Sequence, residues 1–481
     1  MKSNRMVLTS PQVGFLSDSQ KEEIHLATLE VLRRTGVRVF QDEALALLRK
    51  AGCTISDGNR VHIPSHLIEE AIRTAPASIT TYDQNGEPAM RLESTNVHYG
   101  TGSDLMYTID LESGERRLSR KSDGVNVARI ADALPHIDFI MSMALPHDVP
   151  VGTSDLHNFE VMVTNSSKPI VYTTFNREGL ANILDMAAAV AGDMENLRQK
   201  PFLILYAEPT TPLQHSEEAM DKLLLLAEHH LPIAYVPGIG IGGVTPVTMA
   251  GALVVANAEL LSAILVAQLK RPGAPCIFGA GMGILDMRTT IVSYGAPEFM
   301  LMTSSLAELG RYYRLPTWGF GGCSDAKTFD QQAAMEGALW LMAAAMSGTN
   351  LVHDVGYIES GLTCSLEMLV SMDEMAGFVK SFMGGIEVSR ETLALDEIHA
   401  AGPGGDFIQS DHTYRHFRDI WYPTLLDRDN YDGWEAQGRQ KLGQRARDRA
   451  REILASHQPR TLPPSVSEKL GEIIATAEAN G

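Results

Sequence analysis

Phe202-Leu203-Ile204-Leu205-Tyr206-Ala207 is an unbroken apolar run closed by Glu208-Pro209. A helix-like stretch follows at 216–229, and then a second apolar run at 233–237. A strand that is apolar on both faces leaves no side for water, so strand, helix and strand in this order read as one unit of a buried parallel sheet. The same rhythm continues outward in both directions. Short β-type runs at 97–100, 138–145, 169–174, 275–279, 316–319 and 350–355 bring the predicted strands to eight. Helical patterns at 156–164, 178–192, 245–269, 296–313 and 330–347 separate them. Eight strands alternating with helices predict an α/β fold closed as a (β/α)8 TIM barrel over residues 97–388. A doubly wound open sheet is the other architecture compatible with the pattern.

The flanks differ from this core. Residues 1–96 read as a helical accessory region: an apolar face over 17–35 ends at Gly36, and shorter helices are predicted at 43–51 and 65–74. Residues 389–481 read as a C-terminal extension with helices, one of them charged and spanning about 436–453. The 40 Lys and Arg against 59 Asp and Glu give a net charge of −19, which argues against a nucleic-acid partner. The most apolar stretch, 247–269, carries Asn257, Glu259, Ser262 and Gln268, so no membrane span is expected. Met1 to Pro11 holds no apolar secretory core, and a cytoplasmic protein is predicted. The four cysteines make neither a CxxC nor a Cys/His zinc spacing, so neither a disulfide framework nor a metal is expected.

In a barrel of this kind the chemistry gathers where strands end. Glu208, aimed by the following Pro209, is a candidate catalytic carboxylate, and His353 and Asp354 are candidates after the last strand. A glycine-rich segment, Gly238-Ile239-Gly240-Ile241-Gly242-Gly243, looks like a dinucleotide turn, but no acidic residue ends a second strand about 20 positions on. Small residues there, with Gly281 and Gly283, read instead as room for a large partner at the barrel mouth. Aromatic residues fall in or just after strands, including Tyr99, Tyr206, Trp318, Phe320 and Tyr357. A pocket they lined would suit a quaternary ammonium, which has no N–H to donate and is held by aromatic faces and dispersion. No G-x-S-x-G, H-E-x-x-H or P-loop is present, so common hydrolase and kinase readings lack support.

Four groups of residues carry a resemblance. They are Gly321-Gly322-Cys323-Ser324-Asp325-Ala326-Lys327 with Asp330-Gln331-Gln332-Ala333; His353-Asp354-Val355-Gly356-Tyr357; Gly402-Pro403-Gly404-Gly405; and Trp421-Tyr422-Pro423. Together they make the chain similar to the trimethylamine methyltransferase family, and more closely to its branch without pyrrolysine, to which glycine betaine:corrinoid methyltransferase belongs. The resemblance implies a barrel that passes a substrate methyl group to Co(I) of a separate corrinoid protein, with no cofactor bound tightly by this chain. It implies a quaternary amine as substrate, glycine betaine before others, and a homo-oligomer is expected. Such a substrate leaves as a neutral tertiary amine and needs no general acid. The cage is then expected at Tyr99, Tyr206, Trp318, Phe320 and Tyr357. His353 is the expected donor to the substrate carboxylate, helped by the Gly321-Gly322 backbone, and Gly238, Gly240, Gly242, Gly243, Gly281 and Gly283 are expected to face the corrinoid partner. A non-catalytic betaine-binding barrel and a TIM-barrel lyase or aldolase are the rival readings.

Overall fold

The computed structural model describes residues 12–480, and the reading of Met1 to Pro11 lies outside them. The fold is mixed α/β. One parallel sheet has the order Cys276–Ile277, Ile233–Tyr235, Leu203–Ala207, Ile170–Tyr172, and a second has the order Trp318–Phe320, Leu351–His353, His98–Tyr99. Leu205 pairs with Ile233 and Leu203 with Ile170 in the first, while Phe320 pairs with His353 and Val352 with Tyr99 in the second. Single parallel bridges connect Phe278 with Thr317, Ile140 with Ile170 and Gly100 with Phe139. The strand expected at 138–145 is thus present only as bridges, at Phe139, Ile140 and Ala144. The interior of these strands is buried almost throughout, which is why they read as continuous apolar runs.

Local chemistry sets where the intervening helices begin and end. Ser216 accepts from the Ala219 amide at the start of Glu217–His229, and Asp330 accepts from the Gln332 and Ala333 amides at the start of Gln331–Ser347. The second helix stops at Gly348 with φ +64°, where an added Cβ would meet Thr95 Cγ2 at 2.8 Å.

Among the described residues one helix, Met249–Lys270, is long and apolar enough to cross a membrane, but it is mostly buried inside the fold. Its polar residues have protein partners. The Asn257 amide donates to Thr28 Oγ1 and Tyr313 Oη, Ser262 Oγ lies 2.8 Å from His215 Nε2, and the Gln268 amide donates to the Ala274 carbonyl. This helix joins the N-terminal elements to the sheet.

The N-terminal region corrects the sequence reading. Its helices are present, Ser65–Thr74 with the bounds expected, but so are strands Val37–Val39, Thr54–Ser56, Arg60–His62, Ile79–Tyr82 and Pro88–Leu92. Strands of three to five residues are too short for alternation to separate them from loop. Val37–Val39 also pairs in parallel with Gln214–His215, which ties the region to the core. In the extension the charged helix is Leu442–Ser456, starting later than expected, and Pro464–Asn480 follows. Four short helices before it, from Arg390–Leu393 to Tyr431–Ala436, bury no residue.

Candidate active site

The C-terminal ends of the parallel strands surround a cavity of about 640 Å³. Its wall is assembled from at least six separate strand ends: Asp104 from the first, Thr173, Glu208 with Tyr206, Gly238, Phe320, and His353 with Asp354. Of the candidate catalytic residues, Glu208, His353 and Asp354 all reach this wall. Three of the expected aromatic residues reach it too, namely Tyr206, Phe320 and Tyr357.

Trp318 is buried beneath the wall. Its ring centroid lies 4.4 Å from that of His353 and 5.2 Å from that of Tyr206, so it supports both and is not among the lining residues. Tyr99 points elsewhere: its hydroxyl donates to the Leu341 carbonyl on a flanking helix. Strand alternation explains the difference, since Trp318 and Phe320 share a face at two depths while Tyr99 takes the face toward the helices. Gly321 and Gly322 do not line the cavity either. The Gly321 amide already donates to the His353 carbonyl, and Gly322 turns at φ +65° against Val355.

His353 has a fixed protonation. Its Nδ1 lies 2.9 Å from the Gly319 carbonyl, which only accepts, so Nδ1 carries the proton. Burial lowers its pKa to about 3, and the ring stays neutral. Nε2 therefore presents a lone pair, 3.2 Å from Asp354 Oδ1. This geometry leaves no N–H for a substrate carboxylate and corrects the donor role expected for His353.

The carboxyl groups are held as firmly. Asp104 Oδ2 accepts from Thr173 Oγ1 at 2.5 Å, and Oδ1 accepts from Ser142 Oγ at 2.8 Å and the Asn158 amide at 3.2 Å. Glu208 accepts a short hydrogen bond from Tyr206 Oη. Asp354 sits at φ +74° beside Tyr357, whose hydroxyl donates to the Ser103 carbonyl. Gly102 permits this approach, because a Cβ there would stand 2.3 Å from both Asp354 Oδ1 and Tyr357 Oη. Burial is the main cause raising all three acids above the ordinary carboxylate range, and mutual repulsion adds to it: Asp104 acts on Glu208, and Glu208 on Asp354. Glu208 is open to solvent through the cavity yet walled by protein on its other sides.

Several lining residues escaped the sequence reading, among them the aromatic Tyr294 and Phe299 and two charge-bearing side chains, Asp104 and Lys222. Asp104 lies in a loop beyond the first strand at φ +57°, and Lys222 comes from a helix, with its Nζ donating to the Thr174 carbonyl. Burial lowers the Lys222 pKa. Lys327, which closes the Gly321 to Lys327 motif, donates to the Asp325 carbonyl outside the cavity.

The glycine-rich segment forms a strand, Gly238–Ile241, paired in parallel with Gly281–Leu285. Gly238, Gly240, Gly281 and Gly283 line the cavity, while Gly242 and Gly243 form the turn beyond it. All four cysteines are buried and unpaired. Away from the cavity, Glu391, His412 and His416 bring potential metal ligands within 4.8 Å of one another, and the Glu391 carboxylate already accepts from Arg415.

Comparison with known proteins agrees with this architecture. Residues 1–481 match the family described as trimethylamine methyltransferase (MTTB). The chain is 34% identical over 467 residues to trimethylamine methyltransferase MttB of Desulfitobacterium hafniense, covering 97% of this chain and 94% of that protein. It is 32% identical over 470 residues to a glycine betaine methyltransferase of another strain of that species, covering 97% of each. Among solved structures, the monomethylamine methyltransferase MtmB of Methanosarcina barkeri superposes with a TM-score of 0.54 at 12% identity, over 95% of this chain and 92% of that one. A likeness at that identity speaks to the fold alone. Matched along its whole length, the chain belongs to the trimethylamine methyltransferase family.

Proposed function

We propose that the protein transfers a methyl group from a quaternary amine to Co(I) of a separate corrinoid protein, and that its parallel strands and bridges close as a (β/α)8 barrel whose loop end receives that partner. The observation that carries this reading is the cavity itself. It lies at the C-terminal ends of the strands and presents Tyr206, Phe320 and Tyr357 together with Asp104, Glu208 and Asp354. Aromatic faces and carboxyl oxygens attract a permanent cation without requiring it to donate a hydrogen bond. Glycine betaine is the first substrate to consider, because the chain is similar to a glycine betaine methyltransferase.

The chemistry fits the residues present. Loss of a methyl from a quaternary nitrogen expels a neutral tertiary amine, so the leaving group needs no proton. The neutral His353 and the hydroxyls of Tyr206 and Tyr357 are then positioning groups. Because positive charge on nitrogen disappears along the reaction, contacts that favour the cation weaken toward the transition state, and the cage must be modest. A quaternary nitrogen carries its charge at every pH, whereas a tertiary amine must first gain a proton before it can leave as a neutral amine.

The test is substrate discrimination. With reduced corrinoid present, glycine betaine should be converted to dimethylglycine, while dimethylglycine and trimethylamine remain unconsumed. Trimethylamine turnover equal to that of glycine betaine would remove the assignment to quaternary amines.

A further inference from the structure

The cavity presents more carboxyl groups than an aromatic cage requires. Asp104, Glu208 and Asp354 converge on it from three separate strand ends, and Lys222 is the one Lys or Arg side chain among its lining residues. We propose that these three carboxyl groups are a protonatable counter-charge for the quaternary ammonium head, which enters the cavity in exchange for a proton held among them. The inference rests on the reading of the ligand as a quaternary amine.

Geometry supplies the first argument. Each carboxyl group is fixed by the protein: Asp104 by Thr173, Ser142 and Asn158, Glu208 by Tyr206, and Asp354 by the backbone at φ +74° next to Tyr357. The Lys222 ammonium is engaged with the Thr174 carbonyl. His353 offers a lone pair to Asp354, 3.2 Å away. A lone pair and a carboxylate oxygen at that distance repel each other, and a proton on Asp354 relieves the repulsion, so the arrangement favours a proton there.

Electrostatics points the same way. The groups facing the trio are Asp155, Lys222, Tyr294, Tyr357 and Cys323, besides Tyr206 and His353. Lys222 alone among them is cationic, and it lowers Glu208 less than burial raises it. The carboxyl groups accordingly hold protons above their usual range, and a trimethylammonium head can displace one by supplying the same charge.

A titrating counter-charge also resolves a conflict that a fixed one would create. A permanent carboxylate would hold the substrate cation and oppose its discharge. Here, once the methyl is gone and the nitrogen is neutral, the trio regains a proton from bulk water and the wall loses its charge with the substrate. No bond other than O–H changes at these residues.

The experiment is calorimetric titration of the intact protein, without corrinoid, in buffers of different ionisation enthalpy, using glycine betaine and its uncharged-head isostere 3,3-dimethylbutanoate. Proton release is expected with glycine betaine and not with the isostere, and glycine betaine affinity should rise with pH by at most tenfold per unit for one proton. Glu208→Gln and Asp354→Asn should each reduce the released fraction. Binding of glycine betaine with no proton release in wild-type protein, or equal release with both ligands, would overturn the proposal. Because corrinoid is absent, these outcomes stand apart from any failure of methyl transfer, and absence of binding by every quaternary amine would remove both readings.

Discussion

Tyr206, Phe320 and Tyr357 face the cavity, and Trp318 supports two of its wall residues from below. Their substitutions should therefore differ in kind. Phe320→Ala or Tyr357→Ala should weaken glycine betaine binding by about 0.5–2 kcal/mol, roughly 2- to 30-fold. Trp318→Ala should instead cost on the order of 3–5 kcal/mol of stability, the range for emptying a buried aromatic site. Titration calorimetry beside thermal unfolding separates the two effects. His353 gives a second residue-scale expectation. Its Nδ1 proton goes to the Gly319 carbonyl and Nε2 bears only a lone pair, so His353→Ala should weaken glycine betaine and choline alike, and selective loss of the carboxylate-bearing ligand would contradict the assigned tautomer. The sequence reveals that Glu208, His353 and Asp354 stand at strand ends, because those strands are apolar runs with clear stops. It does not reveal which alternate residues of a strand point inward, so Tyr99 and Trp318 look like cage residues from the sequence alone. Asp104 is hard to read from the sequence because it lies past Gly100-Thr101-Gly102-Ser103 in the loop that follows the run at 97–100, and not at the strand end itself.

At the scale of elements, Met249–Lys270 offers the sharpest prediction. Its buried Glu259 accepts from Thr211 Oγ1 at 2.8 Å and the Leu213 amide at 2.6 Å, and its other oxygen has no hydrogen-bond partner among the described residues. Burial raises its pKa from 4.5 to about 7. A carboxyl group whose folded pKa is raised binds its proton more tightly when folded, so its contribution is lost as pH rises from the unfolded value through the folded one. Glu259→Gln should thus gain stability relative to wild type between pH 5 and 8, by up to about 3 kcal/mol. Chemical denaturation at both pH values measures this, and a pH-independent difference would refute it. Parallel strands were legible to within a few residues because burial on both faces removes polar residues from them. The N-terminal strands were not, since three residues such as Arg60–His62 carry no measurable period.

For the whole molecule, the question is how a partner reaches the cavity. Val247, Met287 and Ile291 are exposed on loops beyond the strand ends, and Met287 and Val247 both approach Gly242. Apolar side chains gathered at a cavity mouth suit a docking surface. Met287→Asp should slow methyl transfer to the carrier protein while leaving transfer to free cob(I)alamin and glycine betaine affinity nearly unchanged. Equal loss in all three would place Met287 in folding instead of docking. Gly240 cannot make this distinction, because it lines the cavity, and Gly240→Trp should impair substrate binding directly. Methyl transfer from a quaternary nitrogen to cobalt can be followed in the Co(I) absorbance band on mixing purified protein, reduced corrinoid and glycine betaine. Decay of the band with one dimethylglycine formed per methyl-Co(III) is the expected result. A band that persists with every betaine tried, while the protein still binds them, would contradict it.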